Sequence, residues 1–222
     1  MKSNHFVATT IILSSFLRVH MLFAAEPDLS TPKNAVLSFY KAKDSGDTNT
    51  LKQILVSGDA TKSNAMLADS SFAFQAQRLH SAIEKKFGKE EADRVMDIEG
   101  ARDLKPVETG KESIQGDEAT VTKNGEKEPA FFLKKVDGKW KIDLSKISEF
   151  KIPTRDLEGL LAQRSYLARG LQLTVDDVEK GIVSETGKEM KTHDDLLDDL
   201  NFNVKKAGRE MDNKKSAEEK KP

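Results

Sequence analysis

Acid–base chemistry near neutral pH needs an imidazole, carboxylate or phenol in an apolar pocket, with a neighbour that moves its pKa. Few groups here qualify. Past residue 25 the histidines are His80 and His193, and the tyrosines are Tyr40 and Tyr166. His80 follows Leu79, one position off an apolar helical stripe, which reads as a half-exposed surface imidazole without a named partner. Tyr40 falls at the end of the first predicted helix and reads as core or rim, while Glu108 and Asp143 fall on outward strand positions. There is no cysteine, which excludes a thiol nucleophile, a thiolate metal site, a disulfide framework and a lipid-modified cysteine. No catalytic residue, metal ligand set or cofactor motif is assigned.

The densest acidic cluster is His193, Asp194, Asp195, Asp198 and Asp199, whose four-residue spacing puts carboxylates on one helix face. Calcium or magnesium accepts such oxygens. The glycine-bearing loop of a dedicated calcium site is missing, however, and acids in a first helical turn also complement the helix dipole. The cluster reads as a solvated acidic face. The stretch LARGLQLTVDDVEKGI, residues 167–182, has the helix–glycine–helix spacing of a DNA-binding helix-turn-helix. Its second helix would offer Asp176, Asp177 and Glu179 to phosphates, the wrong sign for a groove reader, so nucleic acid is not an expected partner. Lys134, Lys135, Lys139, Lys141, Lys146 and Lys151 gather near the last predicted hairpin. They read as outward positions guarding a sheet edge, with an acidic partner or polymer as the alternative.

Three zones would position these groups. From about Leu29 to Met96 the pattern is helical. Thr31 and Pro32 open a helix carrying Val36, Phe39 and Tyr40, and Leu51, Ile54 and Leu55 mark a short second one. Phe72, Ala76, Leu79, Ile83 and Phe87 form the stripe of a longer helix ending at Gly88. From about Lys105 to Leu144 the period changes to two. Residues 107–114, 118–123, 129–136 and 139–144 predict four antiparallel strands separated by Gln115-Gly116-Asp117, Asn124-Gly125 and Asp137-Gly138. From Pro153 the chain turns helical again. One helix is expected to end at Gly170, a second to open at Thr174 with Asp177 as a capping box, and a third to open at Thr192 with Asp195.

The opening TPKNAVLSFYKAKDSGD and the ending KKVDGKWKIDL give residues 31–147 a resemblance to the nuclear-transport-factor-2-like, or cystatin-like, α+β cone, in its exported bacterial branch. That resemblance implies N-terminal helices packed on a curled antiparallel four-stranded sheet, with Trp140 inside the cone; it does not reach the C-terminal helical appendage, which rests on the residue pattern from Pro153 on. Catalytic members of such a family place an Asp, His or Tyr dyad in the cone's mouth, and no inward carboxylate is visible here. The expected ligand pocket lies between sheet and helix, lined by Phe72, Leu79, Ile83, Phe131, Leu133, Trp140 and Ile142, with Phe132 beside them.

Residues 1–25 combine a basic start at Lys2, a short apolar run from Phe6 to Phe16 and small residues at Ala24 and Ala25, with no acid before Glu26. The run is shorter than the roughly 20 apolar residues of a membrane span, so it predicts a signal peptide and an exported, periplasmic or secreted protein. Past residue 25, 34 basic face 37 acidic residues, a balance that attracts no polyanion over the whole surface. The expected organisation is a cone domain over 26–150, a helical appendage over 151–208 and a disordered charged tail over 209–222. The expected role is non-catalytic binding of a small apolar ligand or an envelope protein. The alternatives are a pocket enzyme of the isomerase or dehydratase type, and an envelope scaffold. The last helices would either cover the cone's mouth or pair with a second subunit as a homodimer.

Overall fold

The computed structural model describes residues 26–96, 102–146 and 157–218; the expected signal segment and Lys151 lie outside them. Local chemistry starts the first three helices. The Thr31 hydroxyl accepts the Asn34 amide at 3.1 Å, and Pro32 opens α1 (Pro32–Asp44), where a missing N–H leaves nothing unsatisfied. Asp47 accepts the Thr50 amide at 2.9 Å and caps α2 (Thr48–Ile54). Asp59 does the same for Thr61 at 2.9 Å, opening α3 (Ala60–Phe87), which spans about 42 Å at 1.5 Å per residue. The chain turns at Gly88 directly into α4 (Lys89–Val95).

After a single turn of helix, α5 (Lys105–Glu108), the period-two segments form a meander of β2 (Lys111–Gln115), β3 (Glu118–Thr122), β4 (Phe131–Val136) and β5 (Lys139–Asp143). Val107, expected in the first strand, sits in α5 instead. Asp137 and Gly138, at φ 51° and 76°, join β4 to β5 through the positive-φ two-residue turn whose twist matches the strands. The sheet has a further member, β1 (Leu55–Val56), which runs parallel to β5 with Leu55 opposite Ile142. The fold is therefore α+β with an open, mixed five-stranded sheet in the order β1-β5-β4-β3-β2, not four antiparallel strands. Inward residues alternate along the strands. Ala119, Val121, Phe131, Leu133, Trp140 and Ile142 pack on Phe39 and Tyr40 of α1 and Leu51 and Ile54 of α2. Trp140 is 4% exposed, and its amide donates to the Leu29 carbonyl at 2.9 Å.

A second core lies among helices. Leu79 and Ile83 of α3 and Ala92 of α4 pack against Leu171, Val175 and Val178 of α6 (Leu157–Lys180) and Leu196 of α7 (His193–Glu218). The helix expected to stop at Gly170 does not stop there. It runs on to Lys180, and Thr174 and Asp177, expected as a capping box, are buried inside it. Gly170 is a crossing point: a Cβ there would stand 2.8 Å from the Val204 Cα of α7. The helix ends at Gly181, φ 74°, so the helix-turn-helix spacing belongs to one continuous helix. Residues 209–218, set apart as tail by their charge, continue α7. Among the described residues no helix is long and apolar enough to cross a membrane.

Candidate functional site

The seven residues expected to line one pocket are divided between the two cores. Phe131, Leu133, Trp140 and Ile142 belong to the sheet core. Leu79 and Ile83 are fully buried in the helical core, with Phe72 packed at its margin under the Arg164 guanidinium, 4.6 Å from the ring centroid. The physical reason is the length of α3. Its first turns, through Met66 and Leu67, meet the sheet core, whereas the apolar stripe further along faces α6. The inner face of the sheet is filled by the protein itself. Phe39, Tyr40 and Phe131 stack there with ring centroids 5.5–6.2 Å apart.

Among the described residues, an open groove of about 700 Å³ is bordered by four helices. On α3 it is lined by Thr61, Asn64, Leu67 and Ala68, and on α6 by Glu158, Leu161, Ala162 and Ser165. Both sets follow the three- and four-residue spacing of one helix face. Thr48 and Lys52 of α2 and Met211 of α7 complete the lining. Leu67, Leu161 and Met211 supply apolar surface, and Lys52 and Glu158 supply one charge of each sign. Sequence reasoning missed this groove because it sought large apolar residues at helical spacing. The usable signal was the reverse: small residues, Ala68, Ala162 and Ser165, keep facing helices from filling the space between them.

The titratable candidates act mainly as ties. His80 Nε2 and Asp93 Oδ1 are 2.9 Å apart, and Lys89 reaches the other oxygen at 2.8 Å. The Lys89 ammonium first, then His80, holds the Asp93 carboxyl below its ordinary range. His193 Nδ1 pairs with Glu91 Oε1. The two imidazoles thus clamp α4 from α3 and from α7. Tyr40 is core, with Arg102 4.6 Å above its ring; Tyr166 is half-buried. Thr192 and Asp195 form the expected cap, and the Lys191 and Thr192 amides lower the Asp195 pKa.

Asp194 and Asp198 are exposed, as a solvated acidic face requires, but Asp199 is fully buried and meets Asn203, Ser184 and, through Asn203, Asp177. Burial pushes the Asp199 carboxyl up to about 6. Among the described residues no three His, Cys, Asp or Glu side chains gather to hold a metal ion. Lys134 and Lys135 stand on β4, inside the sheet order, whereas Lys139 and Lys141 stand on β5 beside the edge, because the two-residue β1 covers only Ile142 and Asp143; the other edge is β2. Lys135 lies 5.5 Å over the Trp140 ring, and Lys146 pairs with Glu118 at 2.8 Å.

Comparison with family models, curated proteins and solved structures finds no match to this chain. What the groove does chemically therefore rests on its own geometry. It offers an open, mixed surface of hydroxyl, amide and apolar contacts with Lys52 and Glu158 among its lining.

Proposed function

We propose that this chain is an exported, non-catalytic binding module, similar in its sheet half to the nuclear-transport-factor-2-like cone, which holds a segment of an envelope protein in the groove between α3 and α6. One observation carries the reading: the sheet's inner face is packed with the protein's own aromatics, while an open groove lies between helices. An open, mixed polar and apolar trough suits a length of polypeptide, which brings its own hydrogen-bonding groups. A small apolar ligand is better served by an enclosed pocket that buries most of its surface. The isomerase-type reading needs a carboxylate of altered pKa facing a cavity. Asp199, the carboxylate raised by burial, lies between α6 and α7 and is not part of the groove lining.

The test places a photoreactive benzophenone side chain at Ala162 in the groove and, separately, at Thr120 on the sheet, in cells of the native host. A discrete cross-linked partner from position 162, absent from 120 and lost on Leu161→Asp, is the expected result. Identical adducts from both positions, or none from 162, overturn the groove reading. A small molecule released from the purified protein in native mass spectrometry replaces the partner with a ligand. Export has its own check: N-terminal sequencing of protein from the cell envelope or medium begins near Glu26, and an intact Met1 found only in the cytosol sinks it.

A further inference from the structure

The most unusual chemistry in the molecule is a pair of carboxylates buried without a cation. Asp177 is 6% exposed and Asp199 is fully buried, and among the described residues neither joins an ion pair. Their neighbours are few. Asn203 Nδ2 of α7 lies 2.9 Å from Asp177 Oδ2, 3.0 Å from Asp199 Oδ2 and 3.3 Å from Thr174 Oγ1, three acceptors for two hydrogens. Ser184 supplies the rest: its hydroxyl donates to Asp177 Oδ2 at 2.5 Å and its amide to Asp199 Oδ1 at 2.6 Å. The Thr174 hydroxyl donates to the Gly170 carbonyl instead. From α3, Lys86 approaches Gly181, where its Nζ would stand 3.0 Å from an added Cβ, and it pairs with neither acid. Two full negative charges out of water, sharing one amide as donor, are costly, and one proton on the pair removes most of that cost.

We propose that Asp199, buried beside Asp177, is a proton-holding latch, in which its proton keeps the connector between α6 and α7 seated and the loss of that proton at rising pH loosens residues 181–192. Ser184 belongs to that connector and donates to both acids; those bonds favour the ionised form, so the loosening comes from a second buried negative charge and not from their loss. The connector's backbone is closed by Val183 N to Lys188 O and Met190 N to Gly181 O, each 2.8 Å. It plugs Val183 and Met190 into the helical core, 6% and 1% exposed. Unlatching therefore frees a segment that carries core residues.

The direction in pH follows from the shift. The Asp199 carboxyl titrates near 6 in the fold, above its ordinary 3.8, so the folded chain holds the proton more tightly. The stabilisation is complete below about pH 4 and is lost as pH rises through about 6, a change of roughly a hundredfold in the folded-to-unfolded ratio.

The test is amide hydrogen exchange over residues 181–192, with thermal unfolding, on the purified protein from pH 5 to pH 8. Opening of the connector, corrected for intrinsic exchange, is expected to rise about tenfold in the wild type across this window. Asp199→Asn, which mimics the protonated acid, should flatten that rise and melt above the wild type at pH 8. Asp177→Asn, which removes the neighbouring negative charge but leaves Asp199 buried, should reduce the rise in part if Asp199→Asn fails to fold. A parallel carboxyl titration by NMR of the wild type should show one aspartate titrating near 6. Equal pH slopes in wild type and variants, or no aspartate titrating above 5, overturn the latch. A gain in melting temperature at pH 8 on adding calcium, reversed by chelator, also overturns it by making the pair a cation site.

Discussion

Asp47 answers to pH in the opposite sense from Asp199, and the contrast separates capping from burial. Asp47 accepts the Thr50 amide at 2.9 Å and the Thr50 hydroxyl at 2.7 Å, and the Thr50 amide, the larger cause, holds its carboxyl below 3.8. A lowered pKa stabilises above the unfolded value and is lost as pH falls through the folded one. Asp47→Ala should therefore cost about 1 kcal/mol at pH 7, as losses of N-caps do. That penalty should shrink below pH 4, read from urea unfolding at both pH values; a penalty unchanged at pH 3 would separate the cap from its charge. The Asp47 cap is a local feature, made by the side chain that directly precedes α2. Asp199 is not: exposed Asp194 and Asp198 share its composition, and only the packing of Asn203 against α6 distinguishes a buried acid from a solvated one.

Among the elements, glycines carry the sharpest test of how helices meet. Gly170 and Gly208 both lie inside long helices, where a glycine costs about 0.5–1 kcal/mol relative to alanine. A Cβ at Gly170 would strike the Val204 backbone at 2.8 Å, while one at Gly208 meets nothing within 4 Å. Gly170→Ala should destabilise by about 1–3 kcal/mol as α6 and α7 are forced apart. Gly208→Ala should stabilise by about 0.5–1 kcal/mol. Chemical denaturation of the two variants checks both signs, and a stabilising Gly170→Ala would show that the crossing is looser than its geometry. The same residue explains where the sequence misleads. Glycine marks helix ends often enough that Gly170 reads as one, and a close helix crossing leaves an identical local signature. The meander was legible because Asp137-Gly138 and the alternation around Trp140 are local signals. The two-residue β1 was not, since its pairing with β5 joins positions 87 apart in sequence.

At the scale of the molecule, α3 decides how the halves behave. The apolar stripe from Phe72 to Ile83 was readable, but which partner it faces was not, because α6 lies some ninety residues downstream and periodicity carries no address. One continuous helix contributes Met66 to the sheet core and Leu79 and Ile83 to the helical core, and so joins the two halves. Trp140, the sole tryptophan, sits in the sheet core and reports on that half alone by fluorescence, whereas far-UV circular dichroism is dominated by the helices. Leu79 is fully buried, and Leu79→Ala should cost about 2–5 kcal/mol. If α3 ties the cores into one cooperative unit, the fluorescence and dichroism midpoints should fall together, although Leu79 belongs to the other core. Should the Trp140 signal keep its wild-type midpoint while the helical signal drops, the cores unfold independently. In that case α3 would be a shared strut between two separately stable halves.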